Sequence, residues 1–182
     1  MRKIVVTEFL SLDGVMENPA WTFPYWNDEI AAFKTEEQTT SDALLLGRVT
    51  YLEFAASWPK IKPEKDPFAP YMNNIRKYVV STSLKEPLAW NNAELIKGNL
   101  IEAVNRIMQQ DGQDIAVHGS AALAQTLIQH DLVDSLRLLL YPVVVGKGKH
   151  LFNDGISAAF KLVEAKSLSG GVVALIYEPD RK

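Results

Sequence analysis

The chain contains no cysteine, which excludes disulfides, thiolate nucleophiles and cysteine-ligated metal sites. Histidine is nearly as scarce. His118, His130 and His150 stand alone, none with a partner at metal-ligand spacing, so no metal site is expected. Long apolar runs are missing as well: nothing approaches the roughly 18 residues that span a bilayer. Residues 4–9, interrupted by Glu8, are too short for the core of a signal peptide. A cytoplasmic protein with no membrane partner is the expectation. There is no basic excess either. The 19 Lys and Arg against 22 Asp and Glu give a net charge of −3, mixed along the chain. That argues against a nucleic-acid partner and for a small-molecule ligand. Three motifs are absent: G-x-G-x-x-G after the first strand, G-x-x-x-x-G-K-[ST], and G-x-S-x-G. Neither the Rossmann fingerprint nor a P-loop is available, and Ser11 and Asp13 have no nucleophile elbow to make a hydrolase of them.

What is present is a sequence of 182 residues, 47% hydrophobic and 23% charged, enough for one domain over 1–182 with a sizeable core. Residues 3–10 are β-branched and apolar, a first strand that runs into Asp13-Gly14. The following loop, 13–27, holds Trp21, Phe23, Tyr25 and Trp26, rings that need cover. An amphipathic helix starts at Asn27 or Asp28 and ends near Thr40. Residues 43–47 form a short, wholly apolar strand, followed by a helix opening at Thr50. The segment 57–70 carries four prolines and reads as an exposed loop. Strands are predicted at 77–81 and 94–96, and a helix over 100–110 stopped by Asp111-Gly112. A further strand at 114–119 precedes a helix capped by Ser120. Residues 135–145 read as one long central strand, and 161–168 with 172–177 as a hairpin around Ser169-Gly170-Gly171.

Strands alternating with helices indicate an α/β fold with a mostly parallel central sheet, helices on both faces and a C-terminal antiparallel hairpin. Ligands in such sheets bind at the carboxyl ends of the strands. Attention therefore goes to the loops after Leu10, Leu46, Val80 and Val117.

The junction Val117-His118-Gly119-Ser120-Ala121-Ala122 puts small residues and a helix N-terminus where a backbone can approach a pyrophosphate. A plain bend and cap would use the same residues. Gly47-Arg48-Val49-Thr50 adds a guanidinium and a hydroxyl at a second strand end, and Ser81-Thr82-Ser83 adds hydroxyls at a third. Three phosphate-compatible junctions on one sheet edge favour a dinucleotide. Gly146-Lys147-Gly148 reads as a turn. Glu29 and Phe33 share a helix face; desolvated beneath the aromatic loop, Glu29 would have a raised pKa and supply a proton. A solvated first-turn acid on the helix dipole is the alternative.

Taken in order, Ser11-Leu12-Asp13-Gly14, Phe33-Lys34, Leu46-Gly47-Arg48-Val49-Thr50-Tyr51, Val80-Ser81, Val117-His118-Gly119-Ser120 and Tyr141 to Gly146 with Leu151-Phe152 resemble the dihydrofolate-reductase-like superfamily. The closer resemblance is to its branch containing the C-terminal reductase domain of the bifunctional riboflavin-biosynthesis deaminase-reductase. It covers nearly the whole chain and implies a three-layer fold and an NADPH cofactor. By matching motif positions, Gly47, Arg48 and Thr50 would meet cofactor phosphates, Ser81 and Thr82 the adenosine 2′-phosphate region, and Gly119, Ser120, Ala121 and Ala122 the pyrophosphate. Asp13 would open the mobile loop that closes over nicotinamide, and with Glu29 makes up the expected catalytic pair. Asp28 competes with Glu29 if the register slips by one. The riboflavin reductases carry lysine where this chain has Thr7.

The function so implied is hydride transfer to a C=N or C=O of a small heterocycle, pteridine- or pyrimidine-like, with Trp21, Trp26 and Phe33 against the flat substrate. An inactive nucleotide-binding or oligomerisation module on the same fold is the rival reading. Pairing of the apolar strand 136–145 or of the hairpin between chains would make a homodimer, although a central strand accounts for the same residues.

Overall fold

Eight strands form one sheet in the order β4-β3-β2-β5-β1-β6-β8-β7 in the computed structural model, which describes residues 1–181. The strands are β1 (Ile4–Leu10), β2 (Ser41–Gly47), β3 (Arg76–Val80), β4 (Ala93–Ile96), β5 (Asp114–Val117), β6 (Ser135–Leu140), β7 (Phe160–Ser167) and β8 (Val173–Pro179). From β4 to β6 every pairing is parallel. The hairpin β7–β8 then adds antiparallel to β6. Parallel strands buried on both faces need apolar residues throughout, and Ala43 to Leu46 of β2 are all buried.

The helices are α1 (Asp28–Thr40), α2 (Arg48–Ser57), α3 (Ala69–Asn74), α4 (Leu100–Met108) and α5 (Ala121–Gln129). Alternation along the strands separates the two faces. Ile4, Val6, Leu45, Ile115 and Val117 pack with α4 and α5. Leu44, Leu46 and Ala116 face Tyr51 of α2 and Met72 of α3, and Leu139 lies with Ile30 of α1. Helix starts follow local chemistry: the side chains of Asn27, Asn99 and Ser120 accept first-turn N–H groups of α1, α4 and α5.

Several boundaries differ from the sequence reading, among them the ends of α4 at Met108 and of β5 at Val117. Helix α2 begins at Arg48 rather than Thr50. The proline-rich segment is not all loop: it holds a short 3-10 turn at Trp58–Lys60 and gives way to α3 at Ala69. Pro70 is accommodated in the first turn of α3, where a missing N–H costs nothing. Strand β6 stops at Leu140, since Pro142 cannot donate to a ladder, and Val144 is exposed. Between β1 and β8, β6 has both edges paired, so it cannot pair between chains; the open edge at this end of the sheet belongs to β7.

Candidate active site

The register shows where the sheet opens. Strand β1 pairs with β5 only as far as Val6 opposite Val117, yet stays paired with β6 as far as Leu10 opposite Leu140. Beyond Val6, β1 therefore has no neighbour on its β5 side. A slot opens at the carboxyl ends of the two strands, with Thr7 and Glu8 on one wall and His118 and Gly119 on the other. Chain order also changes direction here, because β5 has come between β1 and β2.

Next to the slot, the starts of α2 and α5 lie side by side. Gly47 donates its N–H to the Gly119 carbonyl (3.0 Å), and a Cβ at Gly47 would sit 2.3 Å from Ser120 Oγ and 2.8 Å from Ser120 N. Only glycine permits that approach. Gly119, at φ 97, has its own constraint: a Cβ there would lie 2.8 Å from Thr50 Oγ1. Ser120 Oγ accepts from Leu123 N, which leaves the N–H groups of Ala121 and Ala122 without a side-chain acceptor. The first turn of α2 has no side-chain cap at all. The α2 start, without a side-chain cap, and the α5 start, with two of its N–H groups free of one, lie together, a pairing whose chemistry suits an anion. Arg48 is exposed there and makes no ion pair among the described residues. Further along the same edge, Ser81 and Thr82 line a cavity of about 390 Å³ with Lys97 and Gly98. Lys97, which sequence reasoning passed over, brings a cation to that cavity, at present bonded to Glu86 (2.6 Å).

The slot contains a buried polar cluster that the sequence did not reveal. Lys34 Nζ donates to both carboxylate oxygens of Glu37 (2.8 and 2.7 Å) and to Thr7 Oγ1 (3.0 Å). Thr7 in turn donates to Glu37 (2.5 Å). Burial acts to raise the Glu37 pKa, but the Lys34 charge and these hydrogen bonds outweigh it and hold it below the ordinary range. His118 Nε2 lies 3.7 Å from Glu37; burial first, then the Lys34 charge, pushes its pKa down to about 4, leaving a neutral imidazole at pH 7. Glu8 is buried on the α5 side of β1. Its Oε1 has no hydrogen-bond partner among the described residues and would lie 3.6 Å from a Cβ at Gly119. Burial, opposed by Lys34 and reinforced by Glu37, raises its pKa well above the usual carboxylate range. The sequence had shown Glu8 only as an interruption of an apolar strand, because a lone acid there carries no local sign of burial.

The two expected catalytic carboxylates both accept from backbone donors, and the surroundings of Glu29 differ from those foreseen. Glu29 is exposed, and its Oε2 accepts from Ser169 N at the β7–β8 turn (2.6 Å). Hydrogen bonding with Ser169 lowers its pKa. The desolvated, raised acid is therefore corrected to an ionised brace between α1 and the hairpin. Asp28 is likewise exposed. Asp13 accepts from Ser11 Oγ (2.6 Å), Val145 N (3.0 Å) and Gly146 N (2.7 Å), and these bonds lower its pKa to about 2. It anchors the 11–17 loop rather than holding a proton. That loop is further bonded through Leu12 N to Val143 O and Met16 N to Lys149 O.

The aromatic loop folds as a 3-10 segment, Pro19–Tyr25, of which Trp21 and Tyr25 gather edge-on around Tyr141 while Phe23, expected to need cover, is exposed. Trp21 and Tyr25 lie 5.7 and 5.9 Å from Tyr141, and Phe9 lies 5.7 Å away. Phe33 is covered by the Arg137 guanidinium at 4.3 Å. Trp26, edge-on to Phe9 at 6.4 Å, is left half exposed. Of the three rings expected to meet substrate, Trp26 alone presents substantial open surface.

The family model described as the RibD C-terminal domain matches residues 2–174. The chain is 31% identical over 180 residues to the uncharacterized protein YyaP of Bacillus subtilis, covering 97% of this chain and 94% of that protein. A putative riboflavin biosynthesis protein from Shewanella sp. PV-4 superposes with a TM-score of 0.73 at 19% identity, over 98% of this chain and 99% of that one. Dihydrofolate reductase from Enterococcus faecalis, complexed with NADP(H), gives 0.65 at 13% identity over 98% and 97%. The three-layer architecture is thus dihydrofolate-reductase-like, and the chain belongs to the RibD C-terminal domain family.

Proposed function

We propose that the protein is a cytoplasmic NADPH-dependent reductase that transfers a hydride to a C=N or C=O carbon of a small, flat heterocycle of pteridine or pyrimidine type. The observation that carries this reading is the pairing of the α2 and α5 starts at Gly47 and Gly119 beside the β1–β5 slot. A dinucleotide fits the chemistry of this edge. The first-turn N–H groups of both helices, with Arg48 and Thr50, suit a pyrophosphate. Ser81, Thr82 and Lys97 offer hydroxyls and a cation to a 2′-phosphorylated adenosine end. NADPH, when bound, supplies the hydride.

This chain's own residues would do the rest. Gly119 to Ala122 and Gly47 to Thr50 fix the dinucleotide on the sheet edge. The slot walls, with Met16 against Gly119, exclude water from the reacting atoms. Trp26 and Phe9 provide an apolar edge for a planar ring, with Trp21 and Phe33 behind them. Thr7, held by Lys34 and Glu37, occupies the first-strand position where the riboflavin reductases carry lysine, which favours a substrate other than their ribosylated pyrimidine. The reading is tested by titrating NADPH into isotope-labelled protein and locating the backbone amides that respond.

A further inference from the structure

Resting on the reductase reading above, one question is which group supplies the proton that hydride transfer requires. Glu37 is committed to Lys34 and Thr7, Asp13 to three donors on the 11–17 loop and the 145–146 segment, and Glu29 to the hairpin turn. We infer that Glu8 is the catalytic acid: its buried Oε1, facing Gly119 and bonded to nothing among the described residues, hands a proton to the heteroatom of the bond whose carbon takes the hydride.

The step balances. The hydride, two electrons with one hydrogen, would reach the carbon from bound NADPH, which would be left oxidised. The Glu8 O–H proton goes to the adjacent nitrogen or oxygen, and the double bond becomes single. Glu8 is left as a carboxylate and regains its proton from water. The charged groups acting on it are Lys34 and Glu37 of α1, with His118 after β5 lying 3.7 Å from Glu37; α2 contributes the Thr50 hydroxyl and the 11–17 loop the Met16 methyl, both against Gly119. Burial keeps the acid protonated at rest, and the Lys34 ammonium eases the charge that appears after transfer. Neutral His118 offers no competing proton at pH 7.

The test compares wild type with Glu8→Gln, which keeps the shape and neutrality of the protonated acid. Infrared difference spectra of the two proteins should show a protonated carboxyl at pH 7 in wild type only, and its band should shift when NADPH binds. With 7,8-dihydrofolate as probe, single-turnover hydride transfer should fall about 10²-fold or more in the variant and lose its pH dependence, while NADPH affinity stays unchanged. A Glu8 found ionised at pH 7, a band unmoved by bound NADPH, or transfer at the wild-type rate in Glu8→Gln would each overturn the inference. If wild type binds NADPH without reducing the probe, the infrared band decides. If neither protein binds NADPH, the reductase reading itself falls, and the assignment with it.

Discussion

Replacing Gly47 by alanine separates the two helix starts on which the site depends. The backbone at Gly47, φ −73 and ψ 160, suits any residue, so the perturbation is purely steric. The added Cβ would come within 2.8 Å of Ser120 N and 2.9 Å of Ser120 Cβ, where ordinary contact begins at 3.4 Å. The start of α5 must then retreat by about 0.6 Å, the difference between 3.4 and 2.8 Å, since neither atom is the far end of a flexible side chain. Overpacking of this kind costs about 1–3 kcal/mol. Displacing Ser120 Oγ from its cap on Leu123 N adds up to about 1 kcal/mol. The gain from stiffening the unfolded chain, about 0.4–1 kcal/mol, is smaller and of opposite sign. Urea unfolding of Gly47→Ala should therefore show a lower midpoint without ligand. Protection by NADPH, about 2.7 kcal/mol at a hundredfold excess over Kd for an intact site, should shrink in parallel. An alanine variant as stable as wild type and equally protected would refute the idea that this contact builds the anion edge.

Two further outcomes follow from the buried and anchoring carboxylates. Lys34→Met leaves Glu37 buried beside no counter-ion, a loss of about 3–5 kcal/mol; changing both residues, as Lys34→Met with Glu37→Leu, should recover much of it in the same urea assay. Asp13 has a folded pKa of about 2 against an ordinary 3.8, so its contribution to stability is present above about pH 4 and lost as the pH falls toward 2. In Asp13→Asn, the unfolding midpoint should decline less steeply across that window, and an unchanged slope would dismiss the anchor.

Much of the layout was legible because local signals agreed with the fold. Ser120 as a cap and the hairpin around Ser169-Gly170-Gly171 each follow from chemistry within a few residues. The glycine junctions at 47 and 119 were legible as possible phosphate sites, yet their mutual contact joins residues far apart in sequence. Helix α3 was hidden because Pro70 reads as a breaker until its first-turn place is known. Tyr141 to Val145 continue the apolar pattern of β6 although Pro142 ends its ladder.

The site's acids were the least legible part. Glu29 looked suited to protonation from its helix position beside Phe33, but the docking of Ser169 on it depends on a turn 140 residues away. Glu8 and Glu37 are buried through the splay of β1 from β5 and the packing of α1 over it, neither of which composition or periodicity can express. The face of α1 that turns inward carries Ile30, Lys34 and Glu37, so its polar members looked like solvated surface.

NADPH titration of the isotope-labelled protein, with amide resonances assigned, tests the central claim most directly. Shifts should concentrate at Arg48, Thr50, Ser81, Thr82 and Gly119 to Ala122. If those amides stay still, or if the response is confined to the cavity of about 370 Å³ at the other end of the sheet, between Ile128, Asp131, Phe160 and Arg181, the claim that this edge holds the dinucleotide is contradicted.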